Sequence, residues 1–297
     1  MVGSIVAMRS IFVCLLFAIA STKSSRILVS QPYGTKSHQG VFVPLINALS
    51  ERGHDVLYIT NQISPKLSRL PNVRQLVLEK AFFHAGLATN PFQQVLKKDP
   101  ASWTSQIFST LGYTSLVEGV ARSILDDPRV RALLTDEQFD LVLVSQAYDA
   151  SGYAMAWHFQ VPFILVSPSR LFPFTASTLG DSYHSEYVPS VLGSSTDGMI
   201  FMERLENTLM NSLVVSLFDT WPQSRLQREI ERVFPNIPSF VEIRKNVSLV
   251  FTNTHPVFNY PRTLPPQVIE IGAIHCRPAR ALPTVHRFEF FGLVEKF

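Results

Sequence analysis

The sequence predicts an α/β protein, a parallel sheet with helices on both faces, and two observations carry that prediction. Seven short apolar runs recur, at 27–29, 56–59, 75–78, 141–144, 163–166, 249–251 and 268–271, each short enough for a buried strand. Helical patterns occupy most of the intervals, the alternation that a parallel sheet requires because each crossover must return the chain to the same end of the sheet. With 297 residues, 46% of them hydrophobic, the chain can bury one large core or two modest ones.

The first run ends at Pro32 and Gly34, which break it. Val41, Pro44, Leu45, Ala48 and Leu49 then recur at helical spacing until Gly53 stops the helix and 56–59 begins. His38 falls in the predicted loop between strand and helix, and loops at the carboxyl ends of parallel strands are where open α/β sheets hold ligands. Helices are predicted around 104–126 and 150–159. Two longer stretches interrupt the rhythm. Residues 80–103 hold Phe82, Phe83 and Phe92. Residues 169–234 open with Leu171-Phe-Pro-Phe174 and continue into a long helical segment carrying Met199, Phe201, Met202, Leu205, Leu209, Met210 and Leu213. Aromatic and methionine side chains of this kind suit an adaptable apolar site or peripheral membrane contact.

The chain ends divide it further. Residues 11–20 form an apolar run behind Arg9, with small residues at Ala20 and Ser21, which predicts a secretory signal over 1–21. A folded domain is expected over 24–258, and a proline-rich linker over 259–283, where Pro261, Pro265, Pro266, Pro278 and Pro283 resist helix. Residues 284–297 are too few for a domain. Of the two cysteines, Cys14 would leave with the signal and Cys276 would stand alone, so no internal disulfide is expected. Asn246-Val-Ser248 is an N-glycosylation acceptor sequence, which in a lumenal protein belongs on the surface. The net charge of +3, with 26 basic and 23 acidic residues interspersed, offers no field for a nucleic acid.

Three constellations bear on chemistry: His38, Asp149 after the fourth run, and His275 after the seventh. A histidine near neutrality takes a proton from a hydroxyl, and a carboxylate behind its other ring nitrogen fixes the tautomer and stabilises the imidazolium. His38 and Asp149 both follow predicted carboxyl ends of strands and so could meet; Asp140 is the alternative carboxylate, at the start of its strand. The eight histidines lack zinc-ligand spacing and no Cys-x-x-Cys occurs, so no metal is expected. Gly-x-Ser-x-Gly, Gly-x-Gly-x-x-Gly and Walker loops are absent from the sequence.

Ser30-Gln-Pro-Tyr-Gly-Thr-Lys-Ser-His38, Leu49-Ser-Glu-Arg-Gly-His-Asp-Val56, Phe139-Asp-Leu-Val-Leu143, Ala156-Trp-His-Phe-Gln-Val-Pro-Phe163 and Ile271-Gly-Ala-Ile-His275 together resemble the N-terminal half of animal UDP-glycosyltransferases, the UDP-glucuronosyltransferase group. The resemblance implies one Rossmann-like half of a two-domain GT-B glycosyltransferase. It implies a small lipophilic acceptor near Phe82, Phe83, Phe172 and Phe174, and His38 as the base that activates its hydroxyl, with Asp149 in support. A UDP-sugar would be co-substrate rather than cofactor, and transfer would invert the anomeric carbon. The resemblance further implies residence in the endoplasmic reticulum lumen and association with full-length family members. Neither the family's nucleotide-sugar domain nor its terminal membrane helix is expected within these 297 residues, and 284–297 do not follow its pattern. The chain is therefore expected to be inactive alone, and a non-catalytic acceptor-binding or regulatory isoform is the alternative.

Overall fold

The protein is described from a computed structural model, which covers residues 24–78, 117–146, 149–190, 195–196 and 198–278. Seven parallel strands form one sheet: β1 (Arg26–Gln31), β2 (Asp55–Thr60), β3 (Val73–Val77), β4 (Leu141–Ser145), β5 (Phe163–Ser167), β6 (Leu249–Thr252) and β7 (Val268–Glu270). Their order is β3-β2-β1-β4-β5-β6-β7, so all seven apolar runs become strands. Ile27 pairs with Val56 on one side and Leu141 on the other, and β1 and β4 are side by side although more than a hundred residues separate them. β1, β2, β4 and β5 are buried along nearly their whole length, which is why they read as continuous apolar runs rather than as alternation.

Helices cover both faces. On one face α1 (Lys36–Glu51) sets Val41, Phe42 and Ile46 against Ile27, Val29, Val56 and Tyr58. On the other lie the helical residues 117–125 with α2 (Pro128–Asp136), α3 (Ala150–Phe159), α4 (Pro173–Thr178), α5 (Phe201–Glu231) and α6 (Phe240–Lys245). Their apolar sides enclose Leu28, Leu57, Val142, Leu165 and Val250, with Tyr153 set edge-on to Phe163 and Phe240. The carboxyl-terminal part of α5 is tied to residues 117–126 by ion pairs: Arg122 to Glu229, Arg225 to Glu118 and Arg232 to Asp126.

Two sequence expectations change. α1 begins at Lys36, so His38 lies in its first turn rather than in a loop. The helix thus extends back past Gly40, and Pro44, which the spacing counts as helical, is inside it. Pro44 stands four residues after Gly40, so the carbonyl that loses its partner belongs to a residue whose missing side chain eases the bend that a proline ring imposes. The sheet also does not end at 258. β7 lies within the proline-rich stretch and pairs with β6, Val250 opposite Val268. Pro265 and Pro266 precede β7 at the outer edge, where a missing N–H removes no ladder bond. The segment expected at 80–103, with Phe82 and Phe83, lies outside the described residues, as do 1–21 and 284–297. Among the described residues no helix is long and apolar enough to cross a membrane.

Candidate active site

The strand order reverses direction between β1 and β4, and a crevice opens outside the carboxyl ends of such a pair. Its two sides are the turns that follow β1 and β4. On the first, Gly34 adopts φ +138°, which favours glycine, and its carbonyl accepts hydrogen bonds from Asn61 Nδ2 at 3.0 Å and Gln62 Nε2 at 3.1 Å. A Cβ at Gly34 would sit 2.6 Å from His38 Nδ1 and 2.9 Å from Gln31 Nε2, so the imidazole lies directly against this bare backbone. Beneath it runs a buried polar network. Tyr58 donates to Gln31 Oε1, and Gln39 Nε2 donates to Gln62 O at 2.8 Å and Thr60 Oγ1 at 3.3 Å. Burial pushes the Tyr58 hydroxyl up to about 12, so it is a permanent donor.

His38 itself is bonded to nothing through its inner nitrogen. Nδ1 is buried and without a partner, and burial lowers the imidazole pKa below its ordinary value of 6.5. The amino end of α1 acts in the same direction, because its positive pole disfavours a cation in the first turn. At neutral pH the ring is therefore uncharged and able to accept a proton.

On the second side, Asp149 is the N-cap of α3. Its Oδ1 accepts from Gly152 N at 2.9 Å and Ser151 Oγ at 2.6 Å, while Oδ2 is buried without a partner. Burial raises the Asp149 pKa, against the hydrogen bonds, which favour the carboxylate. The Ser30 hydroxyl pulls the same way as those bonds, although its oxygen meets no strict hydrogen-bond geometry. Gly152 is needed here for space: a Cβ would fall 2.6 Å from Asp149 Oδ2 and 2.8 Å from Val144 Cγ1. Ser145 and Gln146, at the end of β4, add further buried polar atoms without partners. No hydrogen bond joins His38 to Asp149. The structure brings them to adjacent strand ends and leaves one buried atom of each, His38 Nδ1 and Asp149 Oδ2, unpaired.

The remaining sequence-derived residues fall elsewhere. Asp140 accepts from Arg26 N at 2.8 Å, which fixes it at the amino ends of β1 and β4, away from the crevice. His275 is exposed and lines a cavity of about 780 Å³ with Arg170, His255 and Cys276 beyond β6 and β7. Phe172 and Phe174 stack with centroids 5.4 Å apart and planes at 14°, at the start of α4 just past the end of β5. Asn246 caps α6 and is exposed. Among the described residues no group of acidic, histidine and cysteine side chains could hold a metal ion. Sequence reasoning missed Gln31, Gln39, Tyr58, Asn61 and Gln62. Polar residues at or just past the ends of two otherwise apolar strands were the signal available for Gln31, Asn61 and Gln62.

Comparison with known proteins adds kinship to this geometry. The family model described as UDP-glucoronosyl and UDP-glucosyl transferase matches residues 29–291. UDP-glucosyltransferase 2 of Dactylopius coccus is 26% identical over 283 residues, covering 93% of this chain and 52% of that protein. Human UDP-glucuronosyltransferase 1A7 is 24% identical over 281 residues, covering 92% and 52%. The chain thus spans about half the length of the curated relatives it matches. Among solved structures, the calicheamicin glycosyltransferase CalG4 aligns over 84% of this chain and 52% of its own, with a TM-score of 0.43 and 13% identity.

Proposed function

The chain belongs to the UDP-glucoronosyl and UDP-glucosyl transferase family, and from that premise we propose that it forms the acceptor-side half of a glycosyltransferase acting on hydroxyls of small lipophilic molecules. His38 is the base. Its Nε2 takes the acceptor proton as the hydroxyl oxygen attacks the anomeric carbon of a UDP-sugar. The new C–O bond forms as the bond to the diphosphate breaks, UDP leaves with the electron pair, and the configuration inverts. Asp149 is the carboxylate that accepts a hydrogen bond from Nδ1–H, fixing the tautomer and stabilising the imidazolium that forms. The observation that carries this reading is the pair of buried, unpartnered atoms, His38 Nδ1 and Asp149 Oδ2, at the two sides of the β1/β4 switch point. A neutral histidine whose pKa is lowered by burial suits a base at neutral pH. Phe172 and Phe174 stack beside the neighbouring strand end, where they would meet an apolar acceptor.

Transfer also needs stabilisation of the departing diphosphate, which in this reading comes from a donor-side domain. Calorimetry on the 297-residue chain should then show binding of a lipophilic phenol and none of UDP-glucose, with no turnover. Fused to the donor half of a full-length relative, the chain should transfer sugar, and His38→Ala should lower kcat about 100- to 10,000-fold. A fusion whose rate is indifferent to His38→Ala overturns the assignment of the base. Residence in the lumen of the secretory pathway follows from the same reading, and the exposed Asn246 is its marker. Endoglycosidase treatment of the chain expressed in animal cells should increase its mobility, and Asn246→Gln should abolish that shift.

A further inference from the structure

The long helix α5 carries two asparagines one turn apart, both buried, and they are used in opposite ways. Asn207 is fully engaged: its Oδ1 accepts from Ser190 N at 2.7 Å, and its Nδ2 donates to Ser185 O at 2.6 Å and Val188 O at 2.9 Å. It holds the 185–190 segment to the helix. Asn211 is 4% exposed, and neither its amide oxygen nor its nitrogen has a partner. It lines a cavity of about 280 Å³ between α4 and α5.

Two further buried atoms on the same cavity wall are unused, although Asp181 Oδ1 accepts from Tyr183 N at 3.3 Å. Asp181 Oδ2 and the Tyr183 hydroxyl have no partner, and Tyr183 is 3% exposed. Ser177, Ser182 and Ser212 complete a wall of hydroxyls. Tyr183 and His184 are both in the left-handed region, φ 63° and 53°, an unfavourable conformation for two successive side-chain-bearing residues. Arg262 stacks over the Tyr183 ring 4.5 Å from its centroid and holds this corner from outside. Buried polar groups ordinarily find partners, so three without them around one space call for an explanation.

We propose that this cavity is a binding site for a small neutral polyhydroxylated molecule, a free monosaccharide or polyol. The donor and acceptor count fits. The Asn211 amide offers two donors and an acceptor, Asp181 an acceptor, and the Tyr183 and serine hydroxyls act as either. Nothing in the wall selects a strong charge: its only carboxylate, Asp181, already meets His184 Nε2 at 3.5 Å through Oδ1, and the other wall groups are neutral. The volume corresponds to roughly nine water molecules at ~30 Å³ each, about the bulk of one sugar ring. The inference rests on the α4/α5 cavity and does not depend on the transferase reading.

The test is saturation-transfer difference NMR on the full chain with D-glucose and myo-inositol as probes. Both, or either, should receive saturation from the protein. Asn211→Leu should abolish that signal while leaving thermal stability unchanged or raised, since it removes a buried amide that bonds to nothing. Asn207→Leu, the control, should lower stability instead. Tyr183→Phe, which deletes one hydroxyl and keeps the ring, should weaken binding several-fold without unfolding the chain. Three results each overturn the proposal: no saturation transfer to either probe, which leaves a water-filled cavity; an undiminished signal in both Asn211→Leu and Tyr183→Phe; or displacement of the sugar by a lipophilic phenol, which would merge the cavity with the acceptor site.

Discussion

The turns that follow β1 and β4 leave neighbouring strands at the same end of the sheet, yet they are held by different means. Asp149 is anchored by its own bonds, as the cap of α3, and so has a structural duty whatever else it does. His38 has none: α1 begins without a side-chain cap, and its turn is held from behind, by Asn61 and Gln62 on the Gly34 carbonyl. The difference teaches that removing His38 should cost function and little stability, whereas removing Asp149 should cost both. A residue held in place by its surroundings, and giving nothing to them in return, is the stronger candidate for chemistry.

The largest effect expected from breaking this contrast is at Gly34, not at either candidate residue. Gly34→Val combines a positive φ with atoms 2.6 and 2.9 Å from its new Cβ, and it should lower stability by about 3 kcal/mol. Urea unfolding measures this, and a loss under about 1 kcal/mol would show that the turn relaxes and that His38 is not fixed by it.

Next in size is Asp149. Asp149→Ala removes the cap and should cost about 1 kcal/mol. Asp149→Asn keeps an oxygen for Gly152 N and discards the buried charge, so it should match or exceed the wild type at neutral pH. The pH dependence sharpens this. With its folded pKa raised, Asp149 contributes stability that is fully present below the ordinary value of 3.8 and is lost as pH rises through the folded value. The Asn variant should therefore lose that part of the decline, and an unaltered stability profile would count against a buried carboxylate.

The smallest effect belongs to His38. His38→Ala should change stability by no more than about 0.5 kcal/mol. The sign of its pH dependence is opposite to that of Asp149: its contribution is present above 6.5 and is lost as pH falls through the lowered folded value. Titration of the His38 ring followed by NMR should give a midpoint below 6.5, and one above it would remove the burial on which a neutral base depends.

Much of the sheet was legible in the sequence because burial on both faces writes a strand as an unbroken apolar run, as in Leu141–Ser145. The end of the domain was less so, since proline counts suggested a linker where three residues, Val268 to Glu270, suffice to add an edge strand. His38 and Asp149 were legible as strand-end residues, but the first was placed in a loop because the apolar helical spacing begins only at Val41, whereas the helix starts at Lys36. The hydrogen bonds that support the site were not legible. Tyr58 to Gln31 and Asn61 to Gly34 each span 27 positions, and a hydrogen bond between distant side chains leaves no local pattern. Asn211 was hidden differently, within a helix in which several apolar residues, Phe201, Met202, Leu205 and Leu209, are exposed while Asn207 and Asn211 are buried.

The pairing of β1 with β4 has a consequence in time as well as in space. Arg26 and Asp140, which meet across the amino ends of these strands, are 114 residues apart. Closing so long a loop adds little to the thermodynamic cost, since each doubling of length adds about 0.6 kcal/mol, but contacts of this range slow folding. The β1-α1-β2 unit can assemble from its own neighbours within the first sixty residues, with His38 already on its turn. The crevice cannot exist until β4 arrives, so the chain is slowest to build the part on which its proposed chemistry depends.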